Sequence, residues 1–322
     1  MTIANCEQTG VVLEIIRMST EDGPGIRTTL FLKGCTLNCR WCHNPESISI
    51  KPEIQWIGSN CIDCGTCLEV CPLKALTKTS QGIIIDRDLC IDCIKCTEEC
   101  PSKAMELMGE KWIAANLIDE LIKDRVFFEK SNGGVTISGG EAVLQKEFSL
   151  SLLKGLKEKG INTALDTSGQ VPFNALQDLL PYTDILLYDI KEIDSDKHKS
   201  FTNISNKLIL ENLIKISEFI RKNNSPRLWI RTPVIPDTTA TSENISGIGN
   251  FISGNMNDII ERWELCAFNN LCKDKYIRLG LDWEFAETAQ LTHELMEDLT
   301  KTAKKSGINP NVVTWSGLTK FK

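Results

Sequence analysis

The chain has 322 residues, 42% hydrophobic and 25% charged, with 36 basic and 43 acidic side chains and a net charge of −7. This length suggests about two domains, and the composition excludes a disordered chain, a collagen-like repeat and a coiled coil. The acidic balance makes general nucleic-acid binding unexpected. Apolar runs as short as Ile185-Leu-Leu-Tyr188 make a membrane span unexpected, since that needs ~20 apolar residues.

Met1-Thr-Ile-Ala-Asn-Cys6 has neither a basic segment nor an apolar core, so no secretory leader is expected. Fourteen cysteines in such a chain point to metal or redox chemistry in a reducing, cytoplasmic compartment and not to a disulfide scaffold. Cys35, Cys39 and Cys42 form a C-x3-C-x2-C run within Phe31-Leu-Lys-Gly-Cys35-Thr-Leu-Asn-Cys39-Arg-Trp-Cys42-His43. Three thiolates on a cubane leave one iron open to a non-protein ligand. The ordinary alternative is a zinc site completed by His43.

Two further groups follow, Cys61, Cys64, Cys67 and Cys71 before Pro72, and Cys90, Cys93, Cys96 and Cys100 before Pro101. They repeat at a constant offset of 29 residues, each as C-x2-C-x2-C-x3-C-P. This is the bacterial ferredoxin signature, in which the fourth cysteine ligates the other cluster. One [4Fe–4S] cluster is therefore expected on Cys61, Cys64, Cys67 and Cys100, and another on Cys90, Cys93, Cys96 and Cys71. The alternative is a pair of four-thiolate zinc sites. Residues 51–107 are taken as the ferredoxin-like insert, and residues 1–50 with 108–322 as the second domain.

Beyond the insert, strand and helix alternate. Residues 111–128 space Ile113, Leu117, Leu121, Ile122 and Val126 as in a helix, and residues 143–158 do the same with Leu144, Phe148, Leu152, Leu153 and Leu156. Strands are predicted at 135–137, 163–165, 185–188, 228–230, 263–267 and 312–315, with helices near 207–222, 242–253 and 287–305. This argues α/β architecture with a parallel sheet. Five of the strands run into polar groups: Ser138-Gly-Gly-Glu141, Asp166-Thr-Ser-Gly169, Asp189-Ile-Lys191, Arg231 and Phe268-Asn-Asn270. Any one could be an ordinary turn, but in a parallel barrel all would meet at one mouth.

The aromatic residue before Cys42 resembles the radical S-adenosylmethionine (SAM) superfamily. The stretch Glu21-Asp-Gly-Pro-Gly-Ile-Arg27 leading into Cys35 resembles the glycyl-radical-enzyme activating enzymes, in the subgroup with an inserted two-cluster ferredoxin domain. The resemblance implies a partial (β/α)6 barrel, TIM-like in kind, with three [4Fe–4S] clusters. SAM would bind the open iron on Cys35, Cys39 and Cys42, and Lys191 would join them in catalysis. Trp41, Cys42 and His43 would lie against the cofactor, and Gly139, Gly140 and Glu141 would receive its amino group. Asp166 and Asp189 would flank the methionine end, where a monovalent cation is a further expectation. Ile190 and Lys191 would continue that contact, and Arg231 and Val234 would face the adenosine. Asn269 stands where the family usually has histidine; asparagine still hydrogen-bonds but does not titrate.

The family chemistry is reductive cleavage of SAM to methionine and a 5′-deoxyadenosyl radical, from an electron source near −400 mV, roughly. The radical then takes a hydrogen atom from a glycine of a partner glycyl radical enzyme, here not of the pyruvate formate-lyase type. A flavodoxin or ferredoxin donor and a monomeric state are expected. The competing readings are a ferredoxin-type electron-transfer protein and a radical SAM enzyme acting on a small molecule or RNA.

Overall fold

The computed structural model describes residues 7–320, so the reading of Met1–Cys6 lies outside the described residues. The first two strands, β1 (Thr9–Ser19) and β2 (Arg27–Leu32), form an antiparallel pair. The chain then leaves the main sheet. Strand β3 (Glu53–Trp56), the hairpin of β4 (Leu76–Thr79) and β5 (Gly82–Ile85), and β6 (Met105–Met108) follow, with β6 returning antiparallel to β3. Strand β7 (Glu110–Ile113) rejoins the main sheet on the free edge of β1. After it come β8 (Gly134–Gly139), β9 (Thr163–Thr167), β10 (Ile185–Asp189), β11 (Arg227–Val234), β12 (Ile260–Ala267) and β13 (Val313–Ser316).

The main sheet has nine strands in the order β13-β12-β11-β10-β9-β8-β2-β1-β7. From β2 to β13 all neighbours are parallel. The edge strands β7 and β13 do not pair with each other, so the barrel is partial. Its curvature is visible in Arg231 at the end of β11. The guanidinium lies 3.5 Å from Asp166 on β9 and 3.9 Å from Asp22, which precedes β2. Strands β8 and β10 are buried along nearly their whole length, and β10 reads as the apolar run Ile185-Leu-Leu-Tyr188. Helix Lys146–Glu158 buries Phe148, Leu152, Leu153 and Leu156, each buried side chain contributing about 1.5–3 kcal/mol.

The helix predicted over 111–128 is corrected. Residues 110–113 form β7, and helix is confined to Ala114–Leu121 and Arg125–Ser131. Pairing of Trp112 and Ile113 with Gly10 and Thr9 satisfies an otherwise open sheet edge and overrides the local periodicity. Val126, expected on the apolar face, is exposed, as is Leu144.

Between β3 and β6 a second apolar cluster forms, centred on Ile54, Leu76, Cys96 and Met105. Much of its wall is cysteine sulfur, so this part depends on what the sulfurs bind. The sequence repeat is also a conformational one. Asp63 and Asp92, Gly65 and Ile94, and Lys74 and Lys103 all take left-handed backbone angles at the same offset.

Candidate active site and thiol clusters

The C-terminal ends of the parallel strands surround a cavity of about 330 Å³. Cys35, Cys39 and Cys42 line it from the loop after β2, beside Trp41 and His43. Across from them stand Ser138, Gly139 and Gly140 from β8, and Asp166, Thr167 and Ser168 from β9. Asp189 and Lys191 come from β10, Arg231 from β11, and Cys266 and Phe268 from β12.

The three-cysteine loop has no regular structure and is held from outside. Gly34 donates to the Ser47 carbonyl at 2.7 Å, and Arg40 to that of Phe201 at 3.0 Å. Tyr276 Oη donates to the Cys42 carbonyl at 2.8 Å, and Trp283 Nε1 to that of Arg40 at 2.9 Å. The two rings stack on each other, 4.7 Å apart and 7° from parallel. Lys275 Nζ reaches Asn44 at 2.8 Å and Glu46 at 2.6 Å. The fully buried Lys33 bridges the Glu46 carbonyl, at 2.8 Å, to Glu53 on β3, at 3.0 Å. The sequence reading missed this clamp, because nothing local in residues 272–286 links them to a loop more than two hundred residues earlier.

Burial pushes the Cys35 thiol up to about 12 and raises Cys39 and Cys42 as well. Thiolates here therefore need a positive partner, and cluster assembly displaces their protons. Burial opposes the charge of Lys191, but Asp189 and Cys39 outweigh it and hold the ammonium above its usual range. Burial raises Asp166 to about 6; Arg231 opposes this, and Asp189 adds to it. Ser138 Oγ donates to Asp166 at 2.7 Å.

Four expected contacts, Glu141, Ile190, Val234 and Asn269, lie outside the cavity lining. The Glu141 carboxylate is buried and accepts from Thr167 Oγ1 at 2.8 Å, Ser168 Oγ at 2.7 Å, Ser168 N at 3.0 Å and Val143 N at 3.2 Å. It shapes the turn after β9 and does not line the cavity. Ile190 is buried, with its N–H on the Arg231 carbonyl. Asn269 Oδ1 accepts from Leu271 N at 3.1 Å, and neither Ile190 nor Asn269 lines the cavity, nor does the buried Val234. Asp22 does line it, anchored by Ser19 at 2.8 Å and Thr29 at 2.7 Å. No site role was expected of Asp22, although it sits inside the stretch that carried the resemblance.

In the smaller unit, Cys61, Cys64, Cys67 and Cys100 line one pocket, and Cys71, Cys90, Cys93 and Cys96 line another. Cys35, Cys39 and Cys42 act electrostatically on one another, whereas Cys266 faces Arg231 and Glu264. The donor sets thus fit one three-thiolate and two four-thiolate clusters.

A family model described as a 4Fe-4S dicluster domain matches residues 60–105, and a 4Fe-4S single cluster domain model matches residues 21–72. The trans-4-hydroxy-L-proline dehydratase activating enzyme of Clostridioides difficile is 37% identical over 303 residues, 94% of this chain and 98% of that protein. The (2S)-3-sulfopropanediol dehydratase activating enzyme of Klebsiella oxytoca is 38% identical over 280 residues, 85% of this chain and 87% of its own. Among solved structures, a radical SAM methyltransferase from Sphaerobacter thermophilus shares the fold at 13% identity. It matches with a TM-score of 0.54 over 97% of this chain and 77% of that one. With relatives this similar along nearly the whole chain, the protein belongs to the glycyl-radical-enzyme activating enzymes of the radical SAM superfamily.

Proposed function

We propose that Cys35, Cys39 and Cys42 hold one [4Fe–4S] cluster with SAM on its open iron, and that residues 51–107 form an insert holding two more. The reading rests on one observation: three thiols of one loop share a cavity with polar groups from the ends of five parallel strands. When bound, the three-thiolate cluster supplies the electron that splits SAM into methionine and a 5′-deoxyadenosyl radical, which is able to take hydrogen from a glycine Cα.

The chain's own residues bind and orient. Gly139 and Gly140 bring backbone close to the thiol loop, where an amino group can be received. Asp189 paired with Lys191, and Asp166 paired with Arg231, give fixed charges of both signs for a zwitterionic methionine end. Glu141 holds Thr167 and Ser168 in place at the cavity wall. Trp41 and Phe268 supply apolar wall that keeps water from a reactive radical. The partner glycine must enter from the open mouth, where orientation near C5′ governs rate.

The partner is a glycyl radical enzyme outside the pyruvate formate-lyase type, a choice supported by the insert. A flavodoxin or ferredoxin donor, a monomeric state, a cytoplasmic setting and a monovalent cation beside Asp166 and Asp189 belong to the same proposal. Its test is anaerobic reconstitution, with about twelve iron atoms per chain expected for three clusters. Reduction with dithionite should then form 5′-deoxyadenosine from SAM, and a co-incubated glycyl radical enzyme should develop a glycyl doublet in electron paramagnetic resonance. Unchanged SAM cleavage in a C35A/C39A/C42A chain would overturn the proposal.

A further inference from the structure

We propose that the two thiol sets of the insert are electronically unequal, and this rests on the cluster reading above. The set of Cys61, Cys64, Cys67 and Cys100 holds the cluster of higher reduction potential and lies farther from the barrel. The set of Cys71, Cys90, Cys93 and Cys96 holds the cluster of lower potential, next to the barrel.

The inequality starts in the sequence repeat. At the offset of 29, Thr66 is matched by Lys95, and Leu73 by Ser102. Because the fourth cysteine of each copy joins the thiols of the other, Thr66 and Ser102 arrive at the same set. Thr66 Oγ1 donates to Cys64 Sγ at 3.4 Å, and Ser102 Oγ lies 3.7 Å from Cys100 Sγ. Cys100 Sγ also accepts from Ala104 N at 3.2 Å and Met105 N at 3.4 Å. In the other set, Ala75 N donates to Cys71 Sγ at 3.3 Å, and Cys90 Sγ faces the Asp92 carboxylate at 3.7 Å. Donors to sulfur stabilise the reduced, more negative cluster and raise its potential. A facing carboxylate acts oppositely.

Surroundings point the same way. At the sulfurs themselves, Cys96 of the second set is buried, whereas Cys64 of the first is exposed. Asp63, at the matching position of the first copy, pairs with Lys78 at 2.7 Å, whereas Asp92 faces the Cys90 sulfur of the second set at 3.7 Å. Hydrogen bonds, burial and the facing carboxylate together decide the order.

Position follows from β3. Its first residue, Glu53, is tied to Lys33 in the barrel. Ile54 lines the second pocket, and Trp56, farther along the strand, lines the first. Asp92, in the loop of the second set, acts electrostatically on Lys33. Arg87 reaches the carbonyl of Ile54 at 2.6 Å and that of Arg278 at 3.5 Å. Arg278 lies in the same short helix as Tyr276, which holds Cys42.

The experiment is a reductive titration of the reconstituted full-length protein, read by electron paramagnetic resonance with iron counted for each variant. Two auxiliary midpoints should resolve. At one solution potential the two ratios of reduced to oxidised cluster should differ at least tenfold, which is 59 mV for a one-electron couple. S102L should lower only the higher midpoint, and L73S should raise only the lower. If S102L loses iron, S102A and T66A each remove a single hydroxyl and should also lower the higher midpoint. A single wave in the wild type, unshifted midpoints, or shifts on the opposite cluster would overturn the proposal while leaving the clusters themselves established. An insert that binds no cluster would instead defeat the reading beneath it.

Discussion

Gly140 is where the turn after β8 presses on the three-cysteine loop, so Gly140→Ala tests whether that packing sets activity. A Cβ there would lie 2.2 Å from the Gly34 carbonyl oxygen and 2.8 Å from that of Ser47. Both obstacles are backbone, so the loop must move by about 1 Å, a misplacement that can cost ~100-fold in rate. The same carbonyls accept from Glu141 N at 2.6 Å and Gly34 N at 2.7 Å. Loss of these two bonds costs roughly 1–3 kcal/mol, and overpacking adds about 1–3 kcal/mol. Urea unfolding of the apo chain, iron content and 5′-deoxyadenosine formation are measured together. Gly160→Ala is the control: its Cβ would meet nothing within 4 Å, although its φ is +72°. The control should lose about 1 kcal/mol of stability and keep full activity. Wild-type stability and SAM cleavage in G140A would refute the packing argument.

Y276F keeps the stack on Trp283 but removes the shorter of the two hydrogen bonds to the Cys42 carbonyl, leaving that from Cys272 Sγ at 3.8 Å. It should cost about 1 kcal/mol in urea unfolding and slow SAM cleavage without changing the iron count. E141Q replaces a carboxylate that accepts four hydrogen bonds with an amide that must turn one N–H toward a donor. Calorimetry on the loaded enzyme should show SAM binding weakened about tenfold or more, given roughly 1–3 kcal/mol for an unsatisfied buried group. The raised Asp166 means that the folded chain binds more protons than the unfolded one between the ordinary carboxylate range and about pH 6. Apo stability should therefore fall as pH rises through that window, by on the order of 1–3 kcal/mol from this group. D166N should flatten this part of the pH profile, and an unchanged slope would contradict it. C61A and C100A should lose the same auxiliary signal and about four iron atoms, with C71A losing the other signal.

The sequence by itself determined the chemistry that depends on spacing. Cys35, Cys39 and Cys42, the offset of 29 between the ferredoxin repeats, and polar groups trailing apolar strand runs are local patterns, visible without coordinates. Strands β8 to β13 were legible for the same reason, since buried parallel strands are short apolar runs. The hairpin of β1 and β2 and the edge strand β7 were not. Strand β7 pairs with β1, and β2 with β8, across about a hundred residues, and pairing register leaves little trace in one segment. The tertiary structure alone decided that Glu141 turns inward to Thr167 and Ser168, that Asp22 joins the cavity, and that Tyr276, Trp283, Lys275 and Lys33 fasten the thiol loop. Those roles depend on which buried donor meets which acceptor, and only the folded packing brings such partners within hydrogen-bond distance.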